Sequence, residues 1–325
     1  MLQWINAEHI DRLLDFPSLV AGLEQAHRRD VDAMDDLLLS QSDAAGPTRR
    51  FLLRAAWQDS MGVGAKLATV FPDNGRRGLP SVQGVYVLFD AKDGRPRACL
   101  DGTALTYWKT AADSALGARF LARPDSKVLL MVGAGAMAPY LVHAHFDLCP
   151  SLAEVRVWNR SLQRAVRLAE SLASLGRPAR VAPDLEAATR EADIVCCATM
   201  ATAPLIRGEW LRPGTHLDLV GAYTPDMREV DDAAARRSRI FVDSRRTAVH
   251  SIGELAIPLR NGIISEADIL ADHFDLCRGL HPGRQSPEEI TLFKNGGGGH
   301  LDLMTAGIVL ERAAALGDRP HPAGG

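Results

Sequence analysis

The run Gly133-Ala134-Gly135-Ala136-Met137-Ala138 spaces small residues so that a backbone can turn sharply and let an anion come close. The first glycine makes the tight turn, the second admits a charged group against the backbone, and alanine at the third position lets a following helix pack on a preceding strand. That helix aims its free N–H groups and positive dipole end at the same spot, which suits phosphate. The chemistry indicated is the binding of a dinucleotide through its pyrophosphate. The hexapeptide alone is a weak signal, and its flanks strengthen it. Val128 to Val132 is an unbroken apolar run of the kind a strand buried on both faces requires, and Pro139 falls early enough in the next segment for a helix to tolerate it.

A second strand, Val155 to Trp158, ends on Asn159, Arg160 and Ser161, where an NAD-binding chain places an Asp or Glu against the ribose 2′-hydroxyl. A guanidinium fork and a hydroxyl suit a 2′-phosphate, and no carboxylate repels it. NADP(H) is therefore favoured, with NAD(H) the alternative. The plainer reading leaves Arg160 solvated and makes Ser161 only the N-cap of a helix over Leu162 to Leu175. Thr199, Met200 and Val220 follow later strands and fall where strand C-termini line a dinucleotide crevice; each also reads as ordinary core or loop.

The elements that position these residues alternate. Val128 to Val132, Val155 to Trp158, Ile194 to Ala198, His216 to Val220 and Ile240 to Val242 read as strands with helical stretches between them, the pattern of a doubly wound parallel sheet in an α/β fold. The first part of the chain differs. A helical start, Ile10 to Met34 with an interruption near Pro17, precedes β-like runs at Arg50 to Trp57, Gly64 to Val70 and Gln83 to Asp90, which predict an antiparallel or mixed sheet. Thr110 to Leu121 predicts a helix leading into the nucleotide-binding part. His300 to Leu316 predicts another that packs back on the N-terminal part, and Gly317 to Gly325 reads as a disordered tail.

Composition narrows the function classes. With 325 residues, 46% hydrophobic and 24% charged, the chain has the makeup of a soluble globular protein. A net charge of −3 with scattered arginines gives no footprint for nucleic acid or a membrane surface. Cys99, Cys149, Cys196, Cys197 and Cys277 form no C-x-x-C pair and read as reduced, and with the ten histidines they offer no ligand spacing, so no metal site is expected. Without a signal pattern or a long apolar run, the cytoplasm is the expected location.

Four blocks together resemble the ornithine cyclodeaminase and μ-crystallin family: Gly62 to Gly84, Asp101 to Arg123, Val220 to Asp231 and Ile290 to Leu303. The resemblance spans nearly the whole chain. It implies a Rossmann-type domain, residues 116–299, and a discontinuous α+β domain, residues 1–115 with 300–325, that binds substrate and forms homodimers. It also implies hydride transfer at the nitrogen-bearing carbon of a small amino or imino acid. By position, Arg49 in Pro47-Thr48-Arg49 matches the arginine that holds the substrate carboxylate, with Arg50 beside it leaving the match open by one residue. Lys66 matches the lysine beside that carboxylate, and Lys294 matches a contact near the nicotinamide. A bidentate arginine fixes an α-carboxylate, and a buried ammonium of lowered pKa can also donate a proton to nitrogen.

Three departures from the family pattern direct the reading. Lys109-Thr110 stands where the family commonly has Arg-Thr, keeping the charge of a carboxylate or pyrophosphate contact but losing the fork. Tyr223 occupies the place of an Asp that deaminating members use on the substrate amine, and Asn159-Arg160 replaces their nucleotide-binding Asp. A free amine then lacks its base, whereas a preformed imine needs none. The expectation is NADPH-dependent reduction of cyclic α-imino acids such as Δ1-pyrroline-2-carboxylate, as in the ketimine reductase branch. The alternatives are NAD-dependent ornithine cyclodeamination and a non-catalytic, crystallin-like NADPH-binding protein. Glu254 lies in a stretch that the resemblance places near the substrate pocket and reads equally as a helix-cap or surface group, while Asp302 reads as compensation of a helix dipole.

Overall fold

The structure, a computed structural model, describes residues 2–42 and 48–316. The predicted tail, 317–325, and Pro47 of the arginine motif lie outside the described residues. In chain order the elements begin with β1 (Gln3–Ile5), α1 (Ala7–Leu13), α2 (Phe16–His27), β2 (Ala33–Gln41), β3 (Arg49–Gln58), β4 (Gly62–Val70), β5 (Val82–Phe89), β6 (Pro96–Asp101) and α3 (Gly102–Leu121). There follow β7 (Val128–Val132), α4 (Met137–Leu148), β8 (Glu154–Trp158), α5 (Leu162–Ser174), β9 (Ala179–Val181), α6 (Leu185–Glu191), β10 (Ile194–Cys197) and β11 (His216–Leu219). The last are α7 (Asp232–Arg237), β12 (Arg239–Val242), α8 (Arg245–Ala248), α9 (Gly253–Arg260), β13 (Ile269–Asp272), α10 (His273–Cys277), β14 (Thr291–Lys294) and α11 (Gly299–Ala315).

The chain divides into two compact units, one drawn from Met1–Lys109 and Gly298–Gly325, the other Thr110–Gly297. The first cut falls inside α3, ahead of residue 115.

The first unit holds a six-stranded sheet in the order β1-β6-β5-β4-β3-β2, antiparallel except for β1, which runs parallel to β6. β4 alternates buried and half-buried residues, as a strand with two unlike faces should. One face carries Gly64 and Lys66 and is covered by α11. That helix is buried almost all round from Gly299 to Leu310, so it forms the core of this unit. The opposite face leaves Leu37, Leu39, Phe51 and Trp57 exposed on β2 and β3.

The predicted N-terminal helix is corrected. The expected interruption near Pro17 is present, falling at Leu14 and Asp15, with Asp15 capping α2 through the N–H of Ser18 and Pro17 in the first turn, where no intrahelical donor is needed; what differs is the end of the helix, at His27. Met34 belongs to β2, which its hairpin with β3 holds extended despite a helix-like Ala-Met-Asp-Asp-Leu composition.

The second unit is an eight-stranded parallel sheet in the order β13-β12-β14-β11-β10-β7-β8-β9. Its central strands β7, β10, β11 and β14 are nearly continuous in buried residues, because helices cover both faces of a parallel sheet. The chain steps outward from β7 through β8 to β9 and returns to β10 on the other side of β7. The crevice at the C-terminal ends of β7 and β10 is thus the topological switch point where such sheets take ligands. No helix among the described residues is long and apolar enough to cross a membrane.

Candidate active site

The glycine turn leaves β7 at that switch point. Gly133 has φ +115°, and a side chain there would come within 2.5 Å of the Ala198 carbonyl, so glycine is required. Gly135, by contrast, has open space where a side chain would project, the opening a pyrophosphate needs. α4 starts after Ala136 with no side-chain cap, its Met137 half-buried and Ala138 packed without exposure against the sheet. The turn and its uncapped helix therefore fit a dinucleotide phosphate.

At the end of β8, Arg160 and Ser161 are exposed and Asn159 is half-buried, its amide donating to the Ser161 carbonyl at 3.1 Å. Ser161 is the N-cap residue of α5, but its hydroxyl makes no capping hydrogen bond. Among the described residues Arg160 has no ionic partner.

The rim after β10 and β11 is held by two carboxylates that motif reading passed over or underrated. Glu229 accepts from the Thr199 backbone at 2.8 Å, the Thr199 hydroxyl at 2.7 Å and the Gly221 N–H at 2.8 Å, locking the segments that carry Thr199, Met200 and Val220. Glu254, read either as near the substrate pocket or as a cap or surface group, is buried and accepts the N–H groups of Glu229 and Val230 at 2.8 and 3.1 Å. Burial and the neighbouring Glu229 push its carboxyl up to about 7. Lys294 is fully buried and donates to the carbonyls of Leu219 and Asn295, both at 2.8 Å. Its neighbour Asn295 donates to the Thr110 carbonyl at 2.9 Å.

Beneath this rim the fold gathers His145, Cys196 and Asp218, which no sequence spacing signalled. They are spent on one another: Asp218 accepts from Ser114, His145 and Cys196 at 2.8, 3.0 and 3.1 Å. Burial alone would lower the His145 pKa, but the hydrogen bond and charge of Asp218 carry it up to about 9.

The first unit contains the other polar cluster. Facing pairs place Asp36, Arg54, Lys66 and Tyr86 in one line across β2, β3, β4 and β5, on the face covered by α11. Lys66 Nζ lies 3.0 Å from Asp302 Oδ2 and 3.2 Å from Oδ1, with the Thr106 hydroxyl at 3.4 Å. Lys109 Nζ stands 3.9 Å from the same carboxylate. Asp302, far from a mere dipole partner, is the buried counter-charge that two buried ammonium groups share.

Burial pulls the Lys66 pKa down to about 8; Asp302 opposes this, while Lys109 and Arg54 add to it. Burial would raise the Asp302 carboxyl, but Lys109, Lys66 and Arg54 outweigh it and hold it below its ordinary value. Tyr86 is fully buried and its hydroxyl has no hydrogen-bond partner. The phenol occupies space that any side chain at Gly64 would overlap.

The structure does not bring Arg49 to this cluster. Counted along β3, Arg49 and Arg54 alternate to opposite faces. Arg49 is exposed, with its guanidinium 5.7 Å from the Phe71 ring centroid, beside a cavity of about 230 Å³ that Asn74 and Arg77 also line. Arg50 shares the face of Lys66 but pairs with Val70, four residues along β4, or about 13 Å at strand rise.

A parallel dinucleotide-type sheet joined in one chain to an α+β unit with a buried lysine-aspartate pair defines a class of nicotinamide-dependent oxidoreductases. The sequence model of the ornithine cyclodeaminase/mu-crystallin family matches residues 45–316, and the chain belongs to that family. Within it, the chain is 47% identical over 296 residues to a Delta(1)-pyrroline-2-carboxylate reductase of Paracoccus denitrificans, covering 91% of this chain and 92% of the relative. It is 35% identical over 249 residues to the ketimine reductase mu-crystallin of Rattus norvegicus, covering 76% and 74%. The solved structure of Thermococcus litoralis Delta(1)-pyrroline-2-carboxylate reductase in complex with NADH and L-proline matches with a TM-score of 0.88 at 29% identity, covering 97% of this chain and 98% of that one.

Proposed function

We propose that this protein reduces cyclic α-imino acids with a nicotinamide cofactor, taking Δ1-pyrroline-2-carboxylate first and the six-membered Δ1-piperideine-2-carboxylate next. The observation that carries this reading is Lys66, a buried ammonium with a pKa near 8 that shares its one carboxylate with Lys109. Two ammonium groups on one carboxylate leave a positive charge to receive the carboxylate of a substrate. The named activities of the relatives point the same way.

A nicotinamide held by the glycine turn of the second unit would supply the hydride that reduces the C=N bond at C2. Lys66 would give the imine nitrogen its proton, directly or through water. Lys66 and Lys109 hold the carboxylate and so orient the reacting carbon. Gly133, Ala134, Gly135, Ala136 and Met137 cradle the pyrophosphate, while Thr199, Met200, Val220 and Thr110 line the crevice. Lys294 holds the rim by its carbonyl contacts. The first unit acts as the substrate domain and the second as the cofactor domain. The open apolar face carrying Leu37, Leu39, Phe51 and Trp57 supports dimerisation through the first unit, with a second copy covering it. Tyr223, exposed in place of a carboxylate, speaks against deamination of an amine.

For the cofactor, the exposed Arg160 and the uncommitted Ser161 hydroxyl favour the 2′-phosphate of NADPH. Arg160→Asp should shift the kcat/KM ratio toward NADH by about 30-fold, the loss of roughly 2 kcal/mol of charge-assisted hydrogen bonding. An unchanged ratio would return Arg160 to a solvated role. Formation of proline from Δ1-pyrroline-2-carboxylate and NADPH tests the reaction itself, and its absence with either cofactor would withdraw the proposal.

A further inference from the structure

We infer that Glu229 is a positioning residue for the nicotinamide half of the cofactor: its carboxylate ties the chain leaving β10 to the chain leaving β11, and that tie sets the floor on which the ring docks. This rests on the cofactor reading of the crevice and deepens it.

Sheet order decides which half of the cofactor is concerned. The order β11-β10-β7-β8 puts the glycine turn between Asn159 and Arg160, after β8, on one side and Thr199 and Val220, after β10 and β11, on the other. A dinucleotide whose pyrophosphate sits on the turn and whose adenosine lies toward β8 must lay its nicotinamide over the ends of β10 and β11. Glu229 holds those two ends together. Oε1 accepts the Thr199 N–H at 2.8 Å and the Thr199 hydroxyl at 2.7 Å, and Oε2 accepts the Gly221 N–H at 2.8 Å. The fit leaves no slack. A side chain at Gly221 would come within 2.1 Å of the Thr199 carbonyl oxygen and 2.5 Å of Glu229 Oε1, and one at Gly133 would stand 3.4 Å from Thr199 Cγ2. A shift of Thr199 is therefore felt at the glycine turn. Glu229 is in turn fixed through its backbone, whose N–H donates to Glu254 Oε2 at 2.8 Å and whose carbonyl accepts from Leu205 and Ile206 at 2.8 and 3.1 Å. Lys294, which donates to the Leu219 carbonyl at the end of β11, opposes the cost of burying the Glu229 charge. Because Glu229 is fully buried, it acts on a ligand in the crevice only through the two strand ends that it holds.

An amide in place of this carboxylate tests the tie with little change of shape. Glutamine offers one acceptor oxygen where glutamate offers two, so the N–H of either Thr199 or Gly221 must face an NH2 group. Titration calorimetry measures the binding of NADPH and of adenosine 2′,5′-bisphosphate, the half that carries no nicotinamide, to wild type, Glu229→Gln and Thr199→Val. Where the wild type prefers NADH, NADH and adenosine 5′-diphosphate take their place. The kcat and KM for Δ1-pyrroline-2-carboxylate are measured alongside. Glu229→Gln is expected to weaken the whole cofactor about tenfold and to lower kcat about tenfold, while binding of the adenosine half stays within about twofold of wild type. The KM for the imino acid at saturating cofactor should also stay within about twofold. Thr199→Val, which keeps the side-chain shape and deletes only the hydroxyl, should show the same split to a smaller degree, and it covers a folding failure of Glu229→Gln. If both variants bind NADPH and turn over like wild type, or if the two probes weaken equally, as a general loss of structure would make them, the inference is overturned. Selective weakening of the whole cofactor with no imine turnover in the wild type keeps the tie and removes the proposed reaction. A wild type that binds neither NADPH nor NADH overturns the inference together with the cofactor reading.

Discussion

Lys66→Met is expected to lower kcat/KM for Δ1-pyrroline-2-carboxylate by about 10³-fold, the scale of losing a positioned proton donor together with a carboxylate contact. The variant should still fold and bind NADPH. Methionine fills a similar apolar volume, and Asp302 keeps Lys109 as a counter-charge at 3.9 Å, so no carboxylate is left buried alone. The wild-type pH profile carries a linked expectation. The ammonium form is the one that holds carboxylate and gives up a proton, and its fraction falls as pH rises through about 8. The profile of kcat/KM should therefore be level below that value and decline above it. In Lys66→Arg, whose side chain does not titrate in this range, the decline should vanish. Near-normal turnover in Lys66→Met would leave the lysine a structural residue.

Asp302→Asn should cost about 3–5 kcal/mol of folding stability, as breaking a buried ion pair from one side does, and should also depress turnover. The substitution leaves Lys66 and Lys109 buried with no carboxylate between them. Nothing then opposes burial, Lys109 and Arg54, so the Lys66 pKa drops below 8 and the basic limb of the rate profile moves to lower pH. The sign of the wild-type term follows from the direction of the Asp302 shift. Its carboxyl is held below the ordinary value, so its stabilisation is present at neutral pH and is lost as pH falls through the lowered pKa. Urea midpoints and pH profiles of variant and wild type, compared at neutral pH, check both effects. An unchanged midpoint with an unmoved limb would mean that Asp302 does not govern the pair.

What could be read directly from residues was whatever local pattern determines. The run Val128 to Val132 and its glycine turn were legible because a strand buried on both faces must be apolar throughout and Gly133 must take a positive φ. The return of the C-terminal helix to the first unit was legible from its apolar spacing, and the structure starts it at Gly299. β2 was not legible, since its residues carry no alternation of burial and only the hairpin with β3 keeps them extended. β13 and β14 were not legible either; each is a four-residue strand that ends on a charged residue.

The site divides the same way. Lys66 came from the family motif, but its partner Asp302 lies 236 residues away, and a first-turn aspartate is already accounted for by the helix dipole. Glu229 and Glu254 escaped for a similar reason: their value lies in backbone N–H groups that only the folded rim presents. That Arg49 falls on the face of β3 away from Lys66 is a matter of strand register, which a motif read along one chain does not contain.

The central claim, reduction of an imine and not deamination of an amine, is tested most directly by initial rates of the purified protein in two parallel assays. One follows NADPH oxidation with Δ1-pyrroline-2-carboxylate; the other follows ammonia release from ornithine with NAD⁺. The account predicts rapid NADPH oxidation with stoichiometric proline in the first and no ammonia in the second. Ammonia release from ornithine without imine reduction would contradict it.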